Sequence, residues 1–271
     1  MILSYPQWQG IGFPTNVTEG AKRMASLIEN PSAMQAVPVA APHELDLEDG
    51  IFGRAELYTQ LKAALGIIGA ANPQRILTLG GDCSVEVAPS AYLNNLYGSD
   101  LQIFWIDAHA DIHSPDTSYT AHYHGMPLGT LLGEGTPDEF TALVPRKIMP
   151  DQIAYLGLRS IDPPEEDYIN HHNIKNLRWD ALPKMERKYK NAIIHLDTDV
   201  LDARLYSECS TPTTGGADME TLAKTVSYIF ENYNVVGATL TEYAPKRADT
   251  ALPLIKTILQ DYLKANDPMW A

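Results

Sequence analysis

Two short segments concentrate side chains of the metal-ligand type. Asp107-Ala-His109-Ala-Asp111 and Asp197-Thr-Asp199-Val-Leu-Asp202 each follow an apolar run. Alternate residues of an extended segment point the same way, so Asp107, His109 and Asp111 can converge, as can Asp197 and Asp199. Carboxylates crowded into one crevice repel one another and shift their pKa values upward unless cations neutralise them, which makes bound divalent metal the chemistry this pattern suggests. One Asp-x-Asp or Asp-x-His alone is weak evidence, because aspartate also caps helices and shapes turns. Two such segments, each after a strand-like run, form a metal-site pattern. Mixed carboxylate and imidazole ligation suits Mn²⁺, Fe²⁺ or similar ions, and carboxylates able to bridge suit a pair of ions about 3.5–4 Å apart.

A third segment, Leu79-Gly80-Gly81-Asp82-Cys83-Ser84, leads into a helix-like stretch. Its paired glycines permit a tight turn and close backbone approach, and they place Asp82, Cys83 and Ser84 at the helix start. His124 lies in a loop-like region together with His113 and His122, any of which could handle protons. Glu242 ends an apolar strand-like run. His195 precedes Asp197 inside an apolar run and reads as a satisfied core histidine; Cys209 reads as an ordinary thiol.

These residues need elements to hold them. Short apolar, β-branched runs predict strands at 37–41, 75–79, 102–106, 153–158, 192–196 and 235–240, and helical spacing or composition occurs at 54–68, 85–96, 165–171, 219–231 and 252–263. The nearly continuous apolar runs at 103–106 and 192–195 imply strands covered on both faces by helices. The fold class is therefore α/β, a three-layer αβα arrangement with a mainly parallel sheet, read as a single domain over 1–271. Residues 115–135 and 201–217, rich in Gly, Pro, Ser and Thr, read as long loops. In an open α/β sheet the ligand crevice lies at the carboxyl ends of the strands, where the acidic segments fall.

Composition narrows the function classes. With 34 acidic against 20 basic residues the formal charge is −14, which argues against nucleic acid or an anionic membrane face as partner. No window approaches the roughly 18 apolar residues of a membrane span, and the start, MILSYPQWQG, lacks the pattern of a signal peptide, so a cytoplasmic protein is expected. Cys83 and Cys209 are too few for a disulfide scaffold and should be reduced.

The sequence resembles the ureohydrolase family, the arginases and agmatinases. Gly80-Gly-Asp-Cys83-Ser84 stands against the family's GGDHS, Asp107–Asp111 against DAHxD, and Asp197–Asp202 against DxDxxD. His124-Gly-Met-Pro127 matches the HGxP loop, Gly157-Leu-Arg159 with Asp162-Pro163 an arginase segment, and Glu242-Tyr-Ala-Pro245 a late ExxP motif. Order and spacing agree, including thirteen residues from Asp111 to His124. The resemblance implies an arginase-like fold, hydrolysis of a guanidino group at a site of two divalent ions, Mn²⁺ by family habit, and a homo-oligomer, trimer or hexamer. Carried over by position, one ion takes Cys83, Asp107, Asp111 and Asp197, and the other takes His109, Asp107, Asp197 and Asp199. Asp107 and Asp197 bridge, and Asp111 also orients an activated water. His124 shuttles a proton to the leaving amine, and Glu242 pairs with the guanidinium, a role that carboxylate geometry independently supports.

Cys83 departs from the family, which has histidine there. A thiolate is softer and adds a full negative charge, so hard Mn²⁺ should bind less well and Lewis acidity should fall. One expectation is two metals with preference for a less basic guanidine such as an N-hydroxyguanidino amino acid; the alternative is a neutral, non-coordinating Cys83 in a one-metal enzyme or an inactive relative with a binding role. The arginase-like Asp162 favours an α-amino acid substrate. The positions for contacting its carboxylate carry His113, Thr120 and His122, and Ser160 replaces an acidic residue, so the substrate stays open between an arginine-like amino acid and an agmatine- or formimino-type amidine.

Overall fold

The computed structural model describes residues 1–30, 34–134, 138–246 and 252–266. Its strands are β1 (Ile2–Tyr5), β2 (Met34–Ala36), β3 (Leu47–Glu48), β4 (Ile51–Phe52), β5 (Ile76–Gly80), β6 (Leu101–Ile106), β7 (Ile153–Leu156), β8 (Lys175–Leu177), β9 (Asn191–Asp197) and β10 (Asn234–Thr241). Its α-helices are α1 (Val17–Ser26), α2 (Arg54–Ala71), α3 (Val87–Tyr97), α4 (Pro127–Leu132), α5 (Asp138–Thr141), α6 (Pro163–His172), α7 (Met219–Asn232) and α8 (Leu252–Asn266). Eight strands form one sheet in the order β2-β1-β5-β10-β9-β6-β7-β8, every neighbouring pair parallel, while β3 and β4 make a small antiparallel ribbon.

Strand alternation builds the layers. Along β6, Ile103 and Trp105 enter one apolar cluster with Leu57 and Leu61 of α2, Ala91 of α3, Leu128 of α4 and Ile169 of α6. Phe104 and Ile106 face the opposite way, into a cluster with Met24 of α1, Leu222 and Val226 of α7, and Ile255 and Leu259 of α8. All six residues of β6 and all seven of β9 are buried, as expected for strands sandwiched between helices. Each large apolar side chain so buried contributes about 1.5–3 kcal/mol. The three-layer, mainly parallel reading therefore holds.

Several predicted boundaries move for identifiable reasons. The strand expected at 37–41 lies instead at Met34–Ala36: the Val37 amide still donates to the Ser4 carbonyl at 2.9 Å, but Pro38 has no N–H to continue the ladder. The strand expected at 153–158 ends at Leu156, and positive φ at Gly157 turns the chain. In place of a helix from 85, a 3-10 turn spans Cys83–Glu86, capped by Asp82, before α3 begins. The stretch 115–135, read as loop, contains α4, which starts at Pro127 and stops at Gly133 in a left-handed conformation; residue 135 lies outside the described residues. Short β1, edge strand β8 and helix α1 were not read from the sequence.

The sheet order positions the chemistry. β5 runs into Gly80 to Ser84, β10 into Glu242, β9 ends at Asp197 and β6 leads to Asp107. These four strands are consecutive in the sheet, so four segments far apart in sequence meet at one carboxyl edge. Backbone bonds hold these ends: the Glu242 amide donates to the Gly81 carbonyl at 2.7 Å, joining the ends of β10 and β5, and the Asp107 amide donates to the Leu156 carbonyl of neighbouring β7 at 3.1 Å.

Candidate metal centre

Asp107 and Asp197 each use one oxygen for structure and present the other to the site. Oδ1 of Asp107 accepts from the His109 amide at 2.7 Å, and Oδ1 of Asp197 from the Asp199 amide at 2.7 Å. These are the local turns that make aspartate common in loops, and they aim Oδ2 of both residues inward. Oδ2 of Asp197 accepts from the Cys83 thiol at 3.1 Å, whereas Oδ2 of Asp107 has no hydrogen-bond partner. Asp82 differs: both of its oxygens are taken, by the Ser84 and Gly10 amides at 2.9 Å each, so it holds the turn. Asp202 turns aside and pairs with Arg204. The Arg159 guanidinium donates to the carbonyls of Gly157, Asp199, Thr213 and Thr214, tying the loop after β7 to the acidic loop after β9.

Ligand-type atoms gather in overlapping groups, each with its atoms within 4.8 Å of one another: Cys83, Asp107, Asp111 and His195; Asp107, His109 and Asp199; and Cys83, Asp197 and Glu242. His109 Nδ1 lies 2.9 Å from Oδ2 of Asp199 and 3.5 Å from Oδ1 of Asp107. All six residues expected as ligands are thus brought to one crevice. The grouping differs in that His195 joins Cys83, Asp107 and Asp111, and Asp197 stands with Cys83 and Glu242. Asp111 sits at φ 55°, a left-handed conformation uncommon outside glycine, and is held there while its carbonyl accepts from the Leu128 amide at 3.0 Å.

The electrostatics are those of acids packed together. Burial, then repulsion from Asp107, pushes the Asp111 carboxyl well above its usual range. Burial and Asp199 do the same to Asp197, and burial and Asp107 push Asp199 up to about 6. Burial and the Asp197 charge raise the Cys83 thiol well above its ordinary value. Burial would lower His109, but its bonds to Asp107 and Asp199 outweigh that and push it up to about 12. Asp107 opposes the trend: burial raises it, yet His109 and His195 hold it below the usual carboxylate range.

The donors fit divalent cations. Asp107 Oδ2, Asp111 Oδ2 and His195 Nε2 are buried without hydrogen-bond partners, whereas buried polar atoms are ordinarily paired. Inward-facing carboxylate oxygens with imidazole and sulfur beside them are the donor set of a transition-type metal.

Glu242 and His124 border this cluster. His124 Nδ1 lies 3.2 Å from Oε1 of Glu242, which also accepts from the Cys83 amide at 3.0 Å; the Ser210 hydroxyl donates to Oε2. Glu242 sits at φ 60°, so its carboxylate is fixed by backbone as well as by partners. Burial would lower His124, but its bond to Glu242 and the charges of Glu242 and Asp82 together outweigh that and raise it. A cavity of about 320 Å³ opens beside them, lined by His109, Asp111, His113, Thr120, His122 and His124 together with Ser160, Asp162, Glu165 and Thr211. All five residues expected to contact substrate therefore reach it or border it. His113 Nε2 lies 3.1 Å from Oδ2 of Asp162, and His122 packs its ring against Phe13 and Phe52.

Sequence reasoning missed Glu165, Ser210 and Thr211, and it misread His195. Glu165 accepts from the Asp162 amide at 3.0 Å and caps α6; a glutamate three residues after Asp162 was the available signal. His195 is not a satisfied core histidine. Its Nδ1 meets Oε2 of Glu86 at 3.1 Å, but its Nε2 is unpartnered and lies 3.6 Å from Oδ2 of Asp107. Glu86 in an otherwise apolar helix start was the overlooked signal.

Parallel strands under helices, with carboxylate, imidazole and sulfur donors converging at one carboxyl edge, make an α/β protein with a candidate metal centre. The family model described as the arginase family matches residues 14–261, and the chain belongs to that family, metal-dependent hydrolases acting on C–N bonds of linear amidines. It is similar to arginase of Staphylococcus aureus strain COL, at 28% identity over 207 residues, 69% of this chain and 68% of that one. Its fold matches the structure of arginase from Bacillus caldovelox with TM-score 0.81 at 21% identity, covering 99% of this chain and 98% of that one. It also matches formimidoylglutamase from Bacillus subtilis with TM-score 0.72 at 19% identity, covering 98% and 87%. At these identities the structural likeness speaks for the fold. Among the described residues no helix is long and apolar enough to cross a membrane.

Proposed function

We propose that this chain hydrolyses the C–N bond of a guanidino compound with an arginine-like or N-hydroxyarginine-like head, releasing urea or hydroxyurea and an amine. The observation that carries the reading is the Glu242–His124 pair at 3.2 Å on the rim of the buried donor cluster, beside a polar cavity. A planar, cationic guanidinium would find a carboxylate in Glu242, whose Oε2, accepting from the Ser210 hydroxyl, is an acceptor that a guanidinium N–H could use. Asp107, His109, Asp111, Asp197 and Asp199, with Cys83, would hold two divalent ions. When bound, such ions supply Lewis acidity and acidify a water for attack on the guanidino carbon. Asp111 orients that water by hydrogen bonding. His124 delivers a proton to the departing nitrogen, so that the amine leaves neutral and the water oxygen stays with the carbon as urea.

The test is urea release by metal-loaded protein from arginine, N-hydroxyarginine and agmatine, with formamide release from a formimino amino acid as the fourth arm. Turnover of either of the first two supports the proposal. Turnover confined to the formimino compound moves the reading to the other amidine class, and turnover of none, with metal bound, leaves a non-catalytic binding role.

A further inference from the structure

Beneath the acidic loops lies a second buried pair, Glu86 and His195, both fully excluded from solvent. The His195 ring stacks on Trp105 with centroids 3.8 Å apart and planes 16° from parallel, which fixes its plane. Oε2 of Glu86 lies 3.1 Å from Nδ1, and the Ser90 hydroxyl donates to the other Glu86 oxygen, so the carboxylate is itself held in place. A carboxylate only accepts hydrogen bonds, so Nδ1 carries the ring proton. Nε2 faces the other way and lies 3.6 Å from Asp107 Oδ2. His195 shares one group of ligand-type atoms within 4.8 Å of one another with Asp107, Asp111 and Cys83, and neither Nε2 nor Asp107 Oδ2 has a hydrogen-bond partner, so Nε2 is the nitrogen free to exchange a proton for a metal ion.

A carboxylate behind a histidine whose far nitrogen is bare and buried is the arrangement by which proteins orient and strengthen an imidazole ligand. We propose that His195 is a ligand of the first metal ion through Nε2, together with Cys83, Asp107 and Asp111, and that Glu86 is its positioning residue. A donor set with one sulfur, one imidazole and two carboxylates is borderline in softness, so this site takes Zn²⁺, Co²⁺ or Fe²⁺ in preference to Mn²⁺. The inference rests on the metal-centre part of the proposed function and is independent of the substrate.

The test uses Co²⁺ as the probe on the full chain. In the Co²⁺-loaded protein, proton NMR should show a strongly shifted, slowly exchanging ring N–H from buried His195, alongside a sulfur-to-cobalt charge-transfer band from Cys83. His195→Gln should abolish that N–H signal and weaken one of two Co²⁺ equivalents at least tenfold. Glu86→Gln, which keeps the imidazole and covers the case in which His195→Gln does not fold, should weaken the same equivalent about 10–100-fold. Unchanged affinities in Glu86→Gln, or two full equivalents with unaltered affinity in His195→Gln, overturn the assignment. Failure of the wild-type protein to bind Co²⁺ overturns it together with the metal centre. Two-metal binding with no amidine turnover removes only the substrate reading.

Discussion

Glu242 joins Cys83 to His124: one oxygen, Oε1, accepts both the Cys83 amide at 3.0 Å and the His124 ring at 3.2 Å. The start of the 3-10 turn after β5, the end of β10 and the loop before α4 are thereby held in one geometry. The carboxylate proposed to bind the guanidinium also sets the position of the proposed ligand thiol and of the proton carrier. Replacing His124 by Asn should leave this scaffold in place and remove proton delivery. Steady-state kinetics should show kcat reduced by about 10²–10⁴-fold with a smaller change in KM. A variant retaining kcat within a few-fold would mean that the leaving nitrogen is protonated from elsewhere.

Glu242→Gln keeps the shape and deletes the charge. A bidentate, charge-assisted contact is about twice as strong as a neutral one, so kcat/KM for a guanidino substrate should fall at least about 100-fold, a loss near 2.7 kcal/mol at 1.36 kcal/mol per decade. KM should carry a large share of it. Equal loss for a neutral amide analogue would show that the charge is not what Glu242 supplies.

Sequence spacing made the acidic segments legible because the chain's own turns produce them: Asp107 and Asp197 fold back on the amides two residues ahead and leave one oxygen free. The central strands were legible for a similar reason, since burial on both faces makes β6 and β9 continuous apolar runs. β1 is buried but only four residues long, and edge strand β8 is largely exposed and carries Lys175-Asn-Leu177, so neither shows a periodic signal. His195 looked like core because its neighbours are core. Its unpaired nitrogen depends on Glu86, 109 residues earlier, and such long-range pairing has no local signature. Ser210 and Thr211 reach the site for the same reason, by packing of a loop against the end of β10.

Cys83 should govern both metal preference and substrate choice. Cys83→His replaces a soft, anionic donor by a neutral imidazole and should raise Mn²⁺ affinity, measured by competition with a chromogenic chelator. It should also shift turnover toward arginine relative to N-hydroxyarginine. An unchanged ratio of kcat/KM for the two substrates in wild type and variant would remove Cys83 as the determinant.

The turn that carries Cys83 tolerates no added side chain. A Cβ at Gly81 would stand 1.8 Å from the Gln7 carbonyl oxygen and 2.8 Å from its carbon, both backbone atoms. Gly81→Ala must therefore displace the chain, a cost of the order of 1–3 kcal/mol or more by analogy with overpacked cores. Thermal unfolding should show a midpoint several degrees lower, and metal affinity should fall with it, because Gly81 also accepts the Glu242 amide.

Metal and pH should act on stability in opposite directions. In the metal-free protein Asp199 is raised from 3.8 to about 6, and Asp111 and Asp197 lie well above 3.8, each by burial and neighbouring carboxylates. The folded state thus keeps protons that the unfolded chain releases near 3.8, and the stability these groups confer is full below that value and lost as pH rises through about 6 and beyond. His109 pushes the same way, its contribution present below 6.5 and declining as pH rises toward about 12. Asp107, held low by His109 and His195, contributes above 3.8 and loses its contribution as pH falls through its folded value, so it does not counter the decline at neutral pH. The unfolding midpoint of chelator-treated protein should fall between about pH 5 and pH 8. Added divalent metal takes the place of the bound protons and binds more tightly as they leave, so the metal-induced rise in midpoint should grow over the same interval. A chelated protein whose midpoint climbs with pH, or a metal-induced rise that shrinks, would show that these carboxyls are not the groups the metal neutralises.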